Sequence, residues 1–340
     1  MSQTVNEFMP SGMTMREWVR ALPACGRPLP LLSFPAVALT GVSVYDLTHD
    51  ALLQADGICA VAARVDSAAA VTMMDLSVEA EAFGCRILSS KNEVPTVVGA
   101  LITDVDGAEA LDVPEVGAGR TGLYVEAARL AKSRIHDRPV LAGMIGPFSL
   151  AGRLMDVSEA LAACIEDPDM VEVLLGKATA FLKQYALAFR EAGLDGVVIA
   201  EPLAGLLSPG LEREFSAPYM RELIAAVQSD DFAVISHDCG PNTPYMAESL
   251  RTTGADAYHF GDAVDLVDMM DRMGSDCVVC GNISPAGQFV GGTPDSMREA
   301  VLTLRRRAAA YPRFVLSSGC DIPPHAKWDN IDAFFDAAKQ

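Results

Sequence analysis

From about residue 138 onward the chain alternates short apolar runs, rich in Val, Ile and Phe and bounded by Gly, Pro or Asp, with longer stretches of helical period. The runs are Pro139 to Ile145, Gly196 to Ala200, Phe232 to Ser236, Ala257 to Phe260, Cys277 to Cys280 and Phe314 to Ser317. Two earlier runs, Leu31 to Phe34 and Ala70 to Met74, bring the number to eight. Each is almost continuously apolar, as a parallel strand covered on both faces must be. Eight such units predict an α/β chain closed into a (β/α)8 TIM barrel.

The helices between the runs are marked by their ends. Asp167-Pro168 supplies a cap and a first-turn proline before Val171, Leu174, Leu175, Ala178, Phe181, Leu182 and Tyr185, and Gly193 stands where the helix must stop. Thr293-Pro294 opens another, with Met297, Val301, Leu304 and Ala308 on one face. Its closing Arg305, Arg306 and Arg307 read as a solvated face matched to the helix dipole. Thr14 to Glu17 forms a capping box for a first helix.

A length of 340 residues suits one large domain. The reading is a single barrel over 1–340, with a helical extension at 1–30 and an insertion at about 88–120 after the second strand. That insertion lacks strong periodicity and carries Asp104, Asp106, Asp112 and Glu115. No internal repeat, Gly/Ser linker or low-complexity tract interrupts the pattern.

Half the residues are hydrophobic and 21% are charged, so the chain folds around a sizeable core. A formal charge of −19 repels phosphate backbones and anionic lipid surfaces, which argues against nucleic acid or membrane as partner. The N-terminal twenty residues show no secretory pattern, and no apolar run reaches the length of a span, so a cytoplasmic location is expected. In that setting the eight cysteines are not a disulfide framework; most are packing residues.

The chemistry concentrates at Ile235-Ser236-His237-Asp238-Cys239-Gly240, where a strand runs into a Gly-Pro turn. In extended chain, residues i and i+2 point the same way, so His237 and Cys239 can offer an imidazole and a thiolate to one ion. Cys320, just past the end of another strand, supplies a third soft ligand at the same barrel mouth. A Cys2His set leaves one position of a tetrahedral zinc open, the arrangement of a catalytic site. Two thiolates and a neutral imidazole balance the ion's charge, so an incoming thiol would bind as an electron-rich, nucleophilic thiolate.

Other readings compete. A lone H-x-C is equally a packed histidine beside a buried cysteine. Cys277 and Cys280 offer a closed structural site with His237 and Cys239, although i and i+3 on a strand face opposite ways. His49, His136 and His325 lack partners at ligand spacing. Glu201, His259 and Asp262, at other strand ends, are the candidate catalytic residues, and any of them could fill the open zinc position. Asp238 and Asp321 orient loops or neighbouring ligands, or simply make turns.

The stretches Asp75-Leu76-Ser77-Val78-Glu79-Ala80-Glu81-Ala82-Phe83-Gly84-Cys85, Gly146-Pro147-Phe148-Ser149-Leu150-Ala151, His237-Asp238-Cys239-Gly240 and Gly281-Asn282-Ile283-Ser284-Pro285 together resemble the uroporphyrinogen decarboxylase superfamily. The H-x-C plus late cysteine resembles its methylcobamide:coenzyme M methyltransferase branch. That resemblance implies a (β/α)8 barrel and a bound zinc ion held by His237, Cys239 and Cys320. It also implies transfer of a methyl group from a methylated corrinoid to a small thiol such as coenzyme M. No Asp-x-His-x-x-Gly corrinoid motif occurs here, so the methyl-corrinoid would arrive on a partner corrinoid protein or as methylcobalamin.

Two alternatives remain. One is a metal-free tetrapyrrole decarboxylase of the uroporphyrinogen type, which would use N-terminal arginines such as Arg16, Arg20 and Arg27 and an acid such as Asp75. The other is a non-catalytic module that holds a corrinoid or tetrapyrrole.

Overall fold

The apolar runs become seven hydrogen-bonded strands and one irregular stave in the computed structural model, which describes residues 12–340. In chain order the strands are β1 (Ala70–Val71), a separate antiparallel pair β2 (Ile87–Leu88) and β3 (Thr96–Val97), then β4 (Val140–Ile145), β5 (Gly196–Ala200), β6 (Ala233–Asp238), β7 (Ala257–Phe260), β8 (Val279–Ile283) and β9 (Phe314–Ser318). The main sheet runs β1-β4-β5-β6-β7-β8-β9, parallel throughout and curled, with helices on its outer face.

The expected first strand, Leu31 to Phe34, is not a strand. Its role falls to the segment just before it, whose Leu29 N–H donates to Leu316 O on β9 while Pro28 O accepts from Ala68 N–H just before β1, each at 2.9 Å. This stave spans the gap between the two sheet edges. It cannot form a regular ladder because Pro28 and Pro30 have no N–H to donate. Beyond Phe34 a turn leads directly into the helix Ala36–Thr40. The expected run Ala70 to Met74 likewise pairs over only its first two residues, whereas β6 extends two residues further than expected, through His237 and Asp238.

Alternation along the strands separates two cores. Val71, Leu141, Val198, Ala200, Ala233, Ile235, Ala257, Cys280 and Val315 fill the barrel lumen. The other strand faces pack against the outer helices. The base of the lumen is plugged by the helix Met15–Cys25, which buries Met15, Trp18, Val19 and Leu22 and carries the expected Thr14–Glu17 capping box. This helix belongs to the N-terminal extension, whose residues 1–11 lie outside the described ones.

The helix Pro168–Glu191 opens on Asp167, whose side chain accepts from Met170 N–H, and gives way to Gly193 at φ 89°. It buries an aromatic file of Phe181, Tyr185 and Phe189. Thr293 caps the helix Pro294–Arg307, which ends in the three arginines as expected. Between β1 and β4 the insertion carries the β2–β3 hairpin and the helix Val105–Ala110. Among the described residues, no helix is long and apolar enough to cross a membrane.

Candidate metal centre

Parity along β6 places His237 on the lumen side, in line with Ala233 and Ile235, and pairs it in register with His259 on β7. His259 and Ser317 follow Ala257 and Val315 on the same side, so the aliphatic lumen ends in a polar layer at the mouth. Cys239 leaves the end of β6 two residues beyond His237, and Cys320 leaves the end of β9.

His237, Cys239 and Cys320 bring one ligand atom each within 4.8 Å of one another, the sole group of three among the described residues that could hold a metal. His237 Nε2 lies 3.4 Å from Cys320 Sγ. A tetrahedral zinc with Zn–S near 2.3 Å and Zn–N near 2.05 Å needs those atoms about 3.6 Å apart. The donor set and its spacing therefore fit zinc. His237 is buried while both cysteines are partly exposed, so the group sits at the boundary between lumen and mouth.

The two thiols are not equivalent. Cys239 is held below its ordinary range, chiefly by a hydrogen bond from Cys320. The same bond, with burial, pushes Cys320 up to about 12. The hydrogen bond between the two thiols thus acts on them in opposite directions, favouring loss of the proton from Cys239 over loss from Cys320. Burial holds His259 well below the usual imidazole range, with His237 adding to the effect.

The other expected site residues are distributed differently. Glu201 is buried and turned toward the helix Pro147–Met155, accepting from Phe148 N–H (2.8 Å), Ser149 N–H (3.0 Å) and Ser149 Oγ–H (2.8 Å). Burial pushes its carboxyl up to about 8 against those donors. It caps a helix and is not in the His/Cys/Cys group. His259 sits beside that group, with both ring nitrogens engaged. Asp262 is exposed at the rim, packed against Gly319. Asp238 accepts from Ser236 Oγ–H, and burial raises it to about 6. Asp321, whose carboxyl burial pushes well up, follows Cys320.

The rival cysteines part company. Cys280 lies in the lumen and Cys277 packs on the outer core, as opposite strand faces require. His136 and His325 are exposed, and His49 stacks on Tyr45 at 4.0 Å.

The residues that sequence reasoning missed are mainly small. A β-carbon on Gly240 would sit 2.4 Å from Gly205 Cα, and one on Gly261 would sit 2.5 Å from Cys239 Cβ. The mouth loops therefore touch backbone to backbone. Their only sequence signal is a glycine one to five residues past a strand. Ser317 was also missed, hidden inside an apolar run.

The features proposed for a tetrapyrrole grip lie elsewhere. Arg16 pairs with Asp230 and Asp256, and Arg27 with Asp66, all just before strands and hence at the base opposite the metal group. Asp75 does lie at the mouth end of β1, but it is bound by Arg120 (2.7 Å) and the Tyr124 hydroxyl (2.9 Å).

The uroporphyrinogen decarboxylase family profile matches residues 31–340. A methylcobamide:CoM methyltransferase, MtbA of Methanosarcina acetivorans, is 26% identical over 269 residues, covering 78% of this chain and 77% of its own. A uroporphyrinogen decarboxylase of Chlorobium phaeovibrioides is 30% identical over 241 residues, covering 68% and 66%. A solved methyltransferase from Methanosarcina mazei shares the fold, with TM-score 0.84 at 24% identity over 96% of this chain and 98% of its own. The profile covers nearly the whole chain, barrel and mouth together, and on that ground the chain belongs to the uroporphyrinogen decarboxylase family.

Proposed function

We propose that the protein is a cytoplasmic, zinc-dependent methyltransferase that moves a methyl group from a methylated corrinoid to a small thiol such as coenzyme M. The observation that carries this reading is the convergence of His237 Nε2, Cys239 Sγ and Cys320 Sγ at the barrel mouth, with both cysteines partly exposed. Relatives named as methylcobamide:CoM methyltransferases support it. The placement of Arg16 and Arg27 at the opposite end of the barrel counts against a decarboxylase reading that relies on them.

A zinc ion held by these three residues would supply Lewis acidity that makes a bound thiol a thiolate at neutral pH. Two anionic sulfurs and a neutral imidazole would balance the ion's charge, so the substrate sulfur, its proton lost to solvent at the open mouth, would keep its nucleophilicity. To hold the ion both thiols would have to be deprotonated, which the lowered Cys239 favours more than the raised Cys320. His237, fixed at the end of β6, holds the buried side while the open mouth admits the thiol. The substrate thiolate then attacks the methyl carbon: a sulfur–carbon bond forms, the cobalt–carbon bond breaks, and its electron pair leaves with the cobalt. The corrinoid is a substrate, delivered by a corrinoid protein or free.

The test is metal content together with thiol-dependent demethylation of methylcobalamin. We expect about one zinc per chain, lost in Cys320→Ser along with activity. A metal-free wild type would overturn the reading. Carbon dioxide release from a porphyrinogen, insensitive to chelators, would point to decarboxylation instead. Corrinoid binding equal in wild type and His237→Ala without methyl transfer would point to a binding module.

A further inference from the structure

Behind the metal group a row of buried polar atoms crosses the lumen: His237 Nδ1 to His259 Nδ1 at 2.8 Å, His259 Nε2 to Ser317 Oγ at 2.7 Å, and Ser317 Oγ to Leu29 O at 2.6 Å. All three side chains are at most 1% exposed. One end of the row is the Leu29 carbonyl; at the other, His237 faces the His259 carbonyl through Nδ1 and Cys320 Sγ through Nε2, and the two carbonyls set the direction of the bonds between them.

Leu29 O accepts only, so the single Ser317 hydroxyl proton points to it. Ser317 Oγ must then accept from His259 Nε2–H. A neutral His259 protonated on Nε2 has a bare Nδ1, which accepts from His237 Nδ1–H. The far end agrees independently: His237 Nδ1 also faces His259 O, 3.3 Å away, and a carbonyl there again requires the proton on Nδ1. His237 Nε2 is left with its lone pair directed at the sulfurs.

We propose that Ser317 and His259 are positioning residues that lock His237 in the Nδ1–H tautomer and so present Nε2 as a metal ligand. His259 on this view is neither a ligand nor an acid–base group, because both its nitrogens are committed to the row. The row ends on the proline-bearing stave, so the segment that closes the barrel also orients the ligand. A carbonyl or carboxylate commonly orients a ligating histidine from its far nitrogen; here a second histidine and a serine extend that link to Leu29.

This inference rests on the metal reading above, but its first measurement does not need a metal. Long-range proton–nitrogen correlation on 15N-histidine-labelled full-length protein, with zinc and after chelation, reads the protonated nitrogen of each ring. Single His→Gln variants at His49, His136 and His325, together with His259→Phe, assign the signals of all five rings. We expect the proton on Nδ1 of His237 and on Nε2 of His259 in the wild type. In Ser317→Ala we expect His259 to lose its single tautomer and zinc affinity to fall roughly tenfold, with the urea midpoint little changed. Adding Ser317→Ala to His259→Phe should then cost no further affinity.

A wild-type His237 protonated on Nε2 would overturn the proposal, as would Ser317→Ala with unchanged tautomers and zinc affinity. A protein that binds no zinc yet shows both expected tautomers would sink the methyltransferase reading and leave the hydrogen-bonded row standing.

Discussion

Cys320 Sγ lies 3.4 Å from His237 Nε2, although 83 residues separate them along the chain. They meet because β6 and β9 both end at the barrel mouth, and Cys239 joins them from the loop after β6.

The hydrogen bond between the two thiols shifts them in opposite directions and so gives them different reactivities. Cys239, held below its ordinary range, should be alkylated by iodoacetamide before Cys320 in the chelated protein near pH 7.5. Zinc should protect both. Peptide mass spectrometry against time checks the order; equal or reversed rates would contradict the hydrogen bond between them.

The loop bearing Cys239 depends on the contact between Gly205 and Gly240. Any side chain at Gly240 meets backbone that cannot swing away. We expect Gly240→Ala to destabilise by roughly 1–3 kcal/mol and to weaken zinc binding by displacing Cys239. Urea titration and zinc competition measure the two effects; wild-type values for both would show that the loops can separate at no cost.

Glu79 is buried 66 residues before its hydrogen-bond donor, Ile145 N–H, which reaches Oε1, while Oε2 has no partner among the described residues. Burial raises its carboxyl from 4.5 to about 8. A raised acid holds its proton longer in the folded state than in the unfolded one. Stability contributed by the protonated form is therefore full below about pH 4.5 and lost as pH rises toward about 8. Each unit is worth about 1.4 kcal/mol, so the effect amounts to a few kcal/mol at most. Glu79→Gln keeps the acceptor and cannot ionise. Its stability relative to wild type should climb between pH 5 and 8, and a flat difference would show that Glu79 keeps an ordinary carboxyl.

Arg120 bridges Asp75 at 2.7 Å and Glu81 at 2.6 Å, with the Arg120 side chain 8% exposed and that of Asp75 fully buried. Arg120→Met leaves the Asp75 carboxylate without its cation, at a cost of about 3–5 kcal/mol. Asp75→Asn added to that variant should recover part of the loss, because the uncompensated charge goes with it. Additive losses in the double variant would show that the pair is not coupled.

Much of the barrel was legible because local rules govern it. Asp167-Pro168 and Thr293-Pro294 cap helices by contacts a few residues long, and those helices formed as expected. The His237, Cys239 and Cys320 grouping was legible as well, since a residue two beyond another shares its face and strand ends share a mouth. Leu31 to Phe34 misled because an apolar run next to prolines looks like a strand, whereas the missing N–H groups limit it to isolated hydrogen bonds. The direction of Glu201 was not legible, because a carboxylate at a strand end can turn toward the mouth or toward a neighbouring helix, and three donors on the helix hold it there.

Hydropathy period, capping residues and ligand chemistry are properties of short stretches, and so the order of elements and the donor set were determined by sequence alone. The proton arrangement through Ser317, His259 and His237 to the sulfurs was decided only in three dimensions. Its members come from three strands and one stave, and the direction of each hydrogen bond depends on which group stands at the far end. No local pattern carries that information; the closed barrel supplies it by fixing Leu29 O at one end and His259 O at the other.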